Sequence, residues 1–167
     1  GVKTSLNSFQ NGEKMEISDC MKKKVFSAKQ DMSIIDAALL MVHHHIGSLP
    51  IIDNESKYVG LVRMRDIITL AMPDFVSFIQ NVDFVHDFGA IEENQPDQDE
   101  LAKPVTQIMI EPICVEDTSG LLRAISLLQE YKLNDLPVVD SNMHLVGIAS
   151  HVDIGVTIIS NWNLTVS

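Results

Sequence analysis

Apolar residues recur at helical spacing after Ser33, where Ile34, Ile35, Ala38, Leu39 and Val42 follow a Ser33/Asp36 pair that reads as a capping box. The spacing predicts a helix over 34–45. The same stripe returns as Leu121, Leu122, Ile125 and Leu128, for a second helix ending near Lys132. Each predicted helix gives way to a short β-branched run, 49–53 and 136–140. A polar turn follows, 54–57 and 141–144, and then a second apolar run, 58–62 and 145–149, so that each pair of runs predicts a hairpin. A last helix opens near Asp66 in one stretch and near Asp153 in the other.

These parallels are an internal repeat. Leu49-Pro50-Ile51-Ile52-Asp53 maps onto Leu136-Pro137-Val138-Val139-Asp140 at an offset of 87 residues, and the same offset carries Val59-Gly60-Leu61 onto Val146-Gly147-Ile148 and Asp66-Ile67 onto Asp153-Ile154. Met21 matches Met109 at offset 88, which places one extra residue in the first copy, near Lys29. The unit is β-α-β-β-α and mixed α+β (α/β) in class. At about 55 residues it is too small to bury a core alone, so two copies are expected to pack sheet against sheet about a pseudo-two-fold axis. The expected division is an N-terminal segment 1–16, a first repeat 17–72, a helical and acidic linker 73–104, a second repeat 105–160 and a C-terminal tail 161–167. In the linker, Phe75, Phe78, Ile79, Val82, Val85 and Phe88 predict an amphipathic helix, and 92–100 is polar and acidic. The aromatic stripe either covers the edge of its own domain or forms a dimer contact.

Composition narrows the function. Twelve Lys+Arg against twenty-three Asp+Glu give a formal charge of −11, which repels a long phosphate backbone or an anionic membrane. Neither nucleic acid nor a membrane is an expected partner. A mononucleotide is compatible, since it needs only a local group of donors. Cys20 and Cys114 are too few for a disulfide framework and lie in no CxxC spacing. No apolar run reaches spanning length and no signal-like segment opens the chain, so a cytoplasmic location is expected. The chain opens on Gly1, which suggests an excised piece of a longer parent.

Catalytic patterns are missing from the sequence. Adjacent residues on a helix point about 100° apart, so His43, His44 and His45 cannot all face one metal ion, and they read as a solvated helix end. His144 and His151 are solitary, and there is no nucleophile elbow, zinc-protease helix or Walker loop. The expectation is no enzyme, no catalytic cofactor and no metal site.

The ordered set, a Met-x-x-x-hydrophobic lead, a capped helix, hydrophobic-Pro-hydrophobic-hydrophobic-Asp, then Gly-hydrophobic-hydrophobic-x-x-x-Asp, resembles the cystathionine-β-synthase (CBS) domain, here as a tandem pair or Bateman module. In that family Gly-hydrophobic-hydrophobic-Ser/Thr-x-x-Asp marks an adenosyl-nucleotide site. Gly147-Ile148-Ala149-Ser150-His151-Val152-Asp153 carries it. The resemblance implies an energy-sensing type of regulator whose effector is AMP, ADP, ATP or S-adenosylmethionine. Asp153 offers acceptors to ribose hydroxyls, and Ser150 with the N–H groups of a helix start suits phosphate; the alternative is that Ser-x-x-Asp, itself close to a capping box, only caps the helix. Carried over by position, Ser150, His151 and Asp153 share their cleft with Lys24, Phe26, Ile46, Gly47 and Ser48. Phe26 and Ile46 hold adenine there, and Lys24 neutralises phosphate. A second cleft joins Asp66 and Arg63 to Pro112, Cys114, Leu133, Asn134 and Asp135; Arg63 replaces the Ser/Thr of the pattern and Asp135 opposes phosphate, so this cleft is compromised. The alternative function is a dimerisation scaffold whose clefts stay empty; the regulated protein is not identified.

The family habit of pairing, together with the 75–88 stripe, predicts a homodimer. Phe75→Glu combined with Phe78→Glu converts it to a monomer in sedimentation while each repeat stays folded; a double mutant that stays dimeric assigns the stripe to internal packing.

Overall fold

The computed structural model describes residues 14–72 and 94–164. The 75–88 stripe lies outside them. In the first repeat, β1 (Ala28–Lys29), α1 (Ile34–His44), β2 (Ser48–Ile52), β3 (Tyr58–Arg63) and α2 (Met64–Ala71) follow the predicted β-α-β-β-α order. After the short helix α3 (Gln98–Leu101), the second repeat runs β4 (Val115–Glu116), α4 (Leu121–Glu130), β5 (Asp135–Val139), β6 (Leu145–Ser150) and α5 (His151–Ser160). The sheets have the orders β1-β2-β3 and β4-β5-β6. The entering strand is parallel to the central one in each, Ala28 opposite Ile51 and Val115 opposite Val138, and β5 and β6 form the predicted antiparallel hairpin.

The repeat is visible in the backbone itself. Left-handed residues occur at His45 and Ser56 and again, 87 positions on, at Lys132 and Met143. Asp53 and Asp140, which end the two β-branched runs, hold the following turns: one Asp53 oxygen accepts from Glu55 and Lys57 N–H, and one Asp140 oxygen accepts from Asn142 and His144 N–H. These bonds keep the Asp140 carboxyl below its usual range, the His144 N–H being the largest cause.

Two expectations need correction. The buried face of α1 is Ile34, Ala37 and Met41, and that of α4 is Leu121, Ala124 and Leu128; Leu39, Val42 and Leu122 are exposed. Both helices carry apolar residues on more than one face, so periodicity found the helices but favoured larger side chains over Ala37 and Ala124, which are fully buried. The extra residue of the first copy is not near Lys29: the 87 offset already relates Ala28 to Val115, so it falls after Lys22 and before Ala28.

The chain divides into two bodies. Of the described residues, 14–26, 53–59 and 112–164 make one, and 27–52, 60–72 and 94–111 make the other. Each body therefore pairs the lead segment of one repeat with the sheet and first helix of the other. In the body that contains β6, Lys22 exchanges both backbone hydrogen bonds with Ile148 at 2.9 Å, and Ile17 N–H donates to Ser119 just ahead of α4. In the other body Ile110 and Leu61 form the same two-way bridge at 2.9 and 3.1 Å, and Val105 N–H donates to Met32 just ahead of α1. Ile17 and Val105, on the 3-10 turns between the bridges, are fully buried.

The bridges require glycine. A Cβ on Gly60 lies 2.5 Å from the Met109 sulfur and 3.0 Å from the Ile110 carbonyl; one on Gly147 lies 2.9 Å from the Lys22 carbonyl and closer still to the Met21 sulfur. The repeated Met and the repeated Gly are thus the two sides of one contact. Gly60→Ala and Gly147→Ala each lower unfolding stability by about 1–3 kcal/mol, because a backbone oxygen must move, whereas Gly47→Ala, with open space around its Cβ, stays within about 0.5 kcal/mol; urea unfolding of the three variants checks the order.

Candidate functional site

β6 delivers Ser150 to the start of α5, and the two ends of the Ser-x-x-Asp string bond reciprocally. Ser150 Oγ accepts from Asp153 N–H at 3.1 Å, while Asp153 Oδ2 accepts from Ser150 N–H at 2.9 Å. This is a true capping box. It uses one Asp153 oxygen and leaves Oδ1, whose partner among the described residues is the Lys22 ammonium at 3.9 Å. The Asp153 side chain is 18% exposed, and the cap bond at Oδ2 fixes the direction in which Oδ1 points. Cys20 sits near it, its thiol pushed up in pKa first by burial and then by the Asp153 charge.

Lys24 and Phe26 belong to the same body. The Lys24 ammonium stands 5.3 Å from the Phe26 ring centroid, a cation–π arrangement that places a positive charge against an aromatic face. His151 is exposed, and its N–H donates to the Asn134 carbonyl at 3.4 Å, which ties the start of α5 to Leu133, Asn134 and Asp135. Cys114 lies in this body too, its thiol raised by burial and by Glu116.

The corresponding helix start in the first repeat is built differently. Asp66 Oδ2 accepts both Arg63 N–H and Arg63 Nε–H at 2.9 Å, and Oδ1 accepts from Arg63 Nη2 at 2.7 Å. Both carboxylate oxygens are occupied by one guanidinium fork, which holds the Arg63 proton more tightly than usual. Met64 N–H donates to the Gly47 carbonyl at 2.8 Å, the counterpart of the His151–Asn134 bond, so Ile46, Gly47 and the buried Ser48 share a body with Arg63 and Asp66.

Of the residues singled out in the sequence, Lys24, Phe26, Ser150, His151 and Asp153 are thus in one body, and Ile46, Gly47 and Ser48 are in the other. Arg63 and Asp66 share the second body, while Cys114, Leu133, Asn134 and Asp135 share the first. Lys22 was passed over. Its signal was present in the Lys22-Lys23-Lys24 run, but only the bridge to Ile148 shows which lysine reaches the Asp motif.

A CBS domain family model matches residues 17–72 and 105–154. Protein MJ1426 of Methanocaldococcus jannaschii is 39% identical over 67 residues, 40% of each chain. The chain spans 40% and 22% of the length of the first two curated relatives it matches. Among solved structures, CBSX2 in complex with AMP is 26% identical with a TM-score of 0.63, covering 86% of this chain and 96% of that one. The CBS domain pair of protein MJ0100, in complex with 5-methylthioadenosine and S-adenosyl-L-methionine, is 21% identical with a TM-score of 0.65, covering 90% of this chain and all of that one, and establishes the shared fold. Among the described residues no helix is long and apolar enough to cross a membrane.

Because Ser150 and Asp153 cap α5 from both sides, Ser150→Ala and Asp153→Ala each cost about 0.5–2 kcal/mol of unfolding free energy in the absence of any ligand. Denaturant titration of the two variants, with Gln129→Ala at an exposed position of α4 as control, measures this.

Proposed function

The chain belongs to the CBS domain family, and we propose that it is a regulatory module that holds an adenosine-containing nucleotide through the Ser150–Asp153 helix start. The observation that carries this is the division of labour within Asp153: Oδ2 closes the cap, while Oδ1 pairs, among the described residues, with the exposed Lys22 ammonium 3.9 Å away and can accept from ribose hydroxyls without dismantling the helix. Phe26 offers an apolar face for adenine and Lys24 a positive charge for phosphate. The nucleotide-bound structure of CBSX2 supports the same ligand class.

The first-repeat site is the weaker of the two in this reading, because Arg63 already occupies both oxygens of Asp66. A ligand there must break a bidentate ion pair before it gains a ribose contact. Signalling then depends on how differently the nucleotide binds two conformations of the module, since equal affinity for both shifts nothing. The readout passes to a regulated protein or a further domain, without catalysis by these residues, in a cytoplasmic setting. A homodimer accompanies this reading. Val152, Val156 and Ile159 form an apolar row on α5, 70%, 58% and 48% exposed, which favours a covering partner.

AMP added at about a hundred times its dissociation constant stabilises the fold by about 2.7 kcal/mol, a shift visible in a thermal scan, and guanine and pyrimidine nucleotides do less. Calorimetry on folded protein finds binding largely abolished in Asp153→Ala and little changed in Asp66→Ala. Equal losses reverse the ranking of the two sites, and a flat scan across AMP, ADP, ATP and S-adenosylmethionine leaves the dimerisation scaffold as the function.

A further inference from the structure

Lys22 meets the site twice. Its backbone exchanges both hydrogen bonds with Ile148, which fixes the lead segment beside the strand that ends in Ser150. Its side chain, 68% exposed, places an ammonium 3.9 Å from Asp153 Oδ1. A pair that long and that exposed contributes little to folding, because water screens it and the long side chain gives up rotamer freedom to hold it. The same ammonium stands at the carboxylate oxygen that the fold leaves unused.

We infer that Lys22 selects for phosphorylated adenosine compounds by exchanging Asp153 Oδ1 for the ligand's phosphate. The inference rests on the Ser150–Asp153 site proposed above. Ribose hydroxyls donating to Oδ1 displace the ammonium from its weak partner. A phosphate monoester, carrying roughly −1.5 to −2 charge at pH 7, then takes it up in a charge-assisted hydrogen bond. A ligand with no phosphate displaces Lys22 and gives it nothing in return. A sulfonium ligand such as S-adenosylmethionine adds positive charge beside Lys22, Lys23 and Lys24, all exposed in this body. The lysine thus hinders every adenosyl ligand equally at Oδ1 and compensates only the phosphorylated ones.

The first repeat sets off this arrangement. At its helix start Arg63 cannot be exchanged in the same way, because it makes three hydrogen bonds to Asp66 from within the same turn. The residue at the bridge position that corresponds to Lys22 is the uncharged Ile110. The mobile cation is therefore a property of the second-repeat site and not of the repeat pattern.

The test is calorimetry of the full chain with AMP, adenosine and S-adenosylmethionine, at low and moderate salt, in unmodified protein, Lys22→Met and Lys22→Arg. The backbone bridge to Ile148 does not need the Lys22 side chain, so both variants fold. The unmodified chain binds AMP more tightly than adenosine, and salt narrows the gap. Lys22→Met weakens AMP about ten- to a hundredfold, leaves adenosine equal or tighter, and removes the salt dependence of the ratio; Lys22→Arg restores the preference. A Lys22→Met variant that loses AMP and adenosine equally, or loses neither, overturns the selection role while leaving the site in place. An unmodified chain that binds no adenosyl compound overturns the site and Lys22's role with it.

Discussion

Everything in this fold depends on a backbone approach that only glycine permits. At Gly147 the lead segment of the first repeat lies against β6 so closely that a methyl group has no room beside Met21 and the Lys22 carbonyl, and Gly60 does the same for Met109 and Ile110. The two-way hydrogen bonds at these points satisfy sheet-edge groups that would otherwise face solvent or need burial without partners. Each lead segment is then anchored a second time ahead of a helix, at Ser119 or Met32, with Ile17 or Val105 buried between the anchors. A repeat of this size lacks the surface to stabilise itself. Drawing the lead segment of the other repeat into each body gives each sheet an additional bridge and each core an additional aliphatic side chain.

The helix starts beyond β3 and β6 obey a second, local constraint. A carboxylate at the third position of a helix has two oxygens, and the cap needs one. Asp153 gives Oδ2 to Ser150 N–H, and Ser150 supplies the hydroxyl for the reciprocal bond. In the first repeat Arg63 has no hydroxyl to offer and folds its guanidinium onto Asp66 instead. The difference of one residue, Ser150 against Arg63, leaves one carboxylate oxygen outside the cap at Asp153 and none outside the guanidinium fork at Asp66.

The architecture was legible in the sequence because its signals are local and occur twice. The Pro-hydrophobic-hydrophobic-Asp strings mark strands whose terminal Asp holds the next turn, and Ser33 and Ser150 mark helix starts at which the hydroxyl accepts the expected N–H. The faces of α1 and α4 were not legible. Leu39 and Leu122 look like core by size but are exposed, whereas Ala37 and Ala124 are fully buried. For the site, Ser150 and Asp153 could be read from their spacing, since a capping box is a four-residue feature. Lys22 could not: it reaches Asp153 through a bridge between residues 22 and 148, a pairing that no local pattern encodes.

That long-range pairing also bears on where the repeats diverge. The additional residue of the first copy falls after Lys22 and before Ala28, in the stretch that carries Lys23, Lys24 and Phe26, while the second copy runs from Ile110 to Val115 without it. Lys22 is bridged to Ile148 in one body, and Ala28 pairs with Ile51 in the other. Lys22, Lys23 and Lys24 are exposed, and the Lys24 ammonium lies against Phe26. The longer segment therefore belongs to the same body as the open carboxylate of Asp153, and the shorter one, with Glu111 and Pro112 at the equivalent place, carries no cation at all. Sequence length, charge and helix-cap chemistry have diverged together: one repeat keeps a lysine beside an Asp153 oxygen that its cap does not use, and the other closes Asp66 onto Arg63.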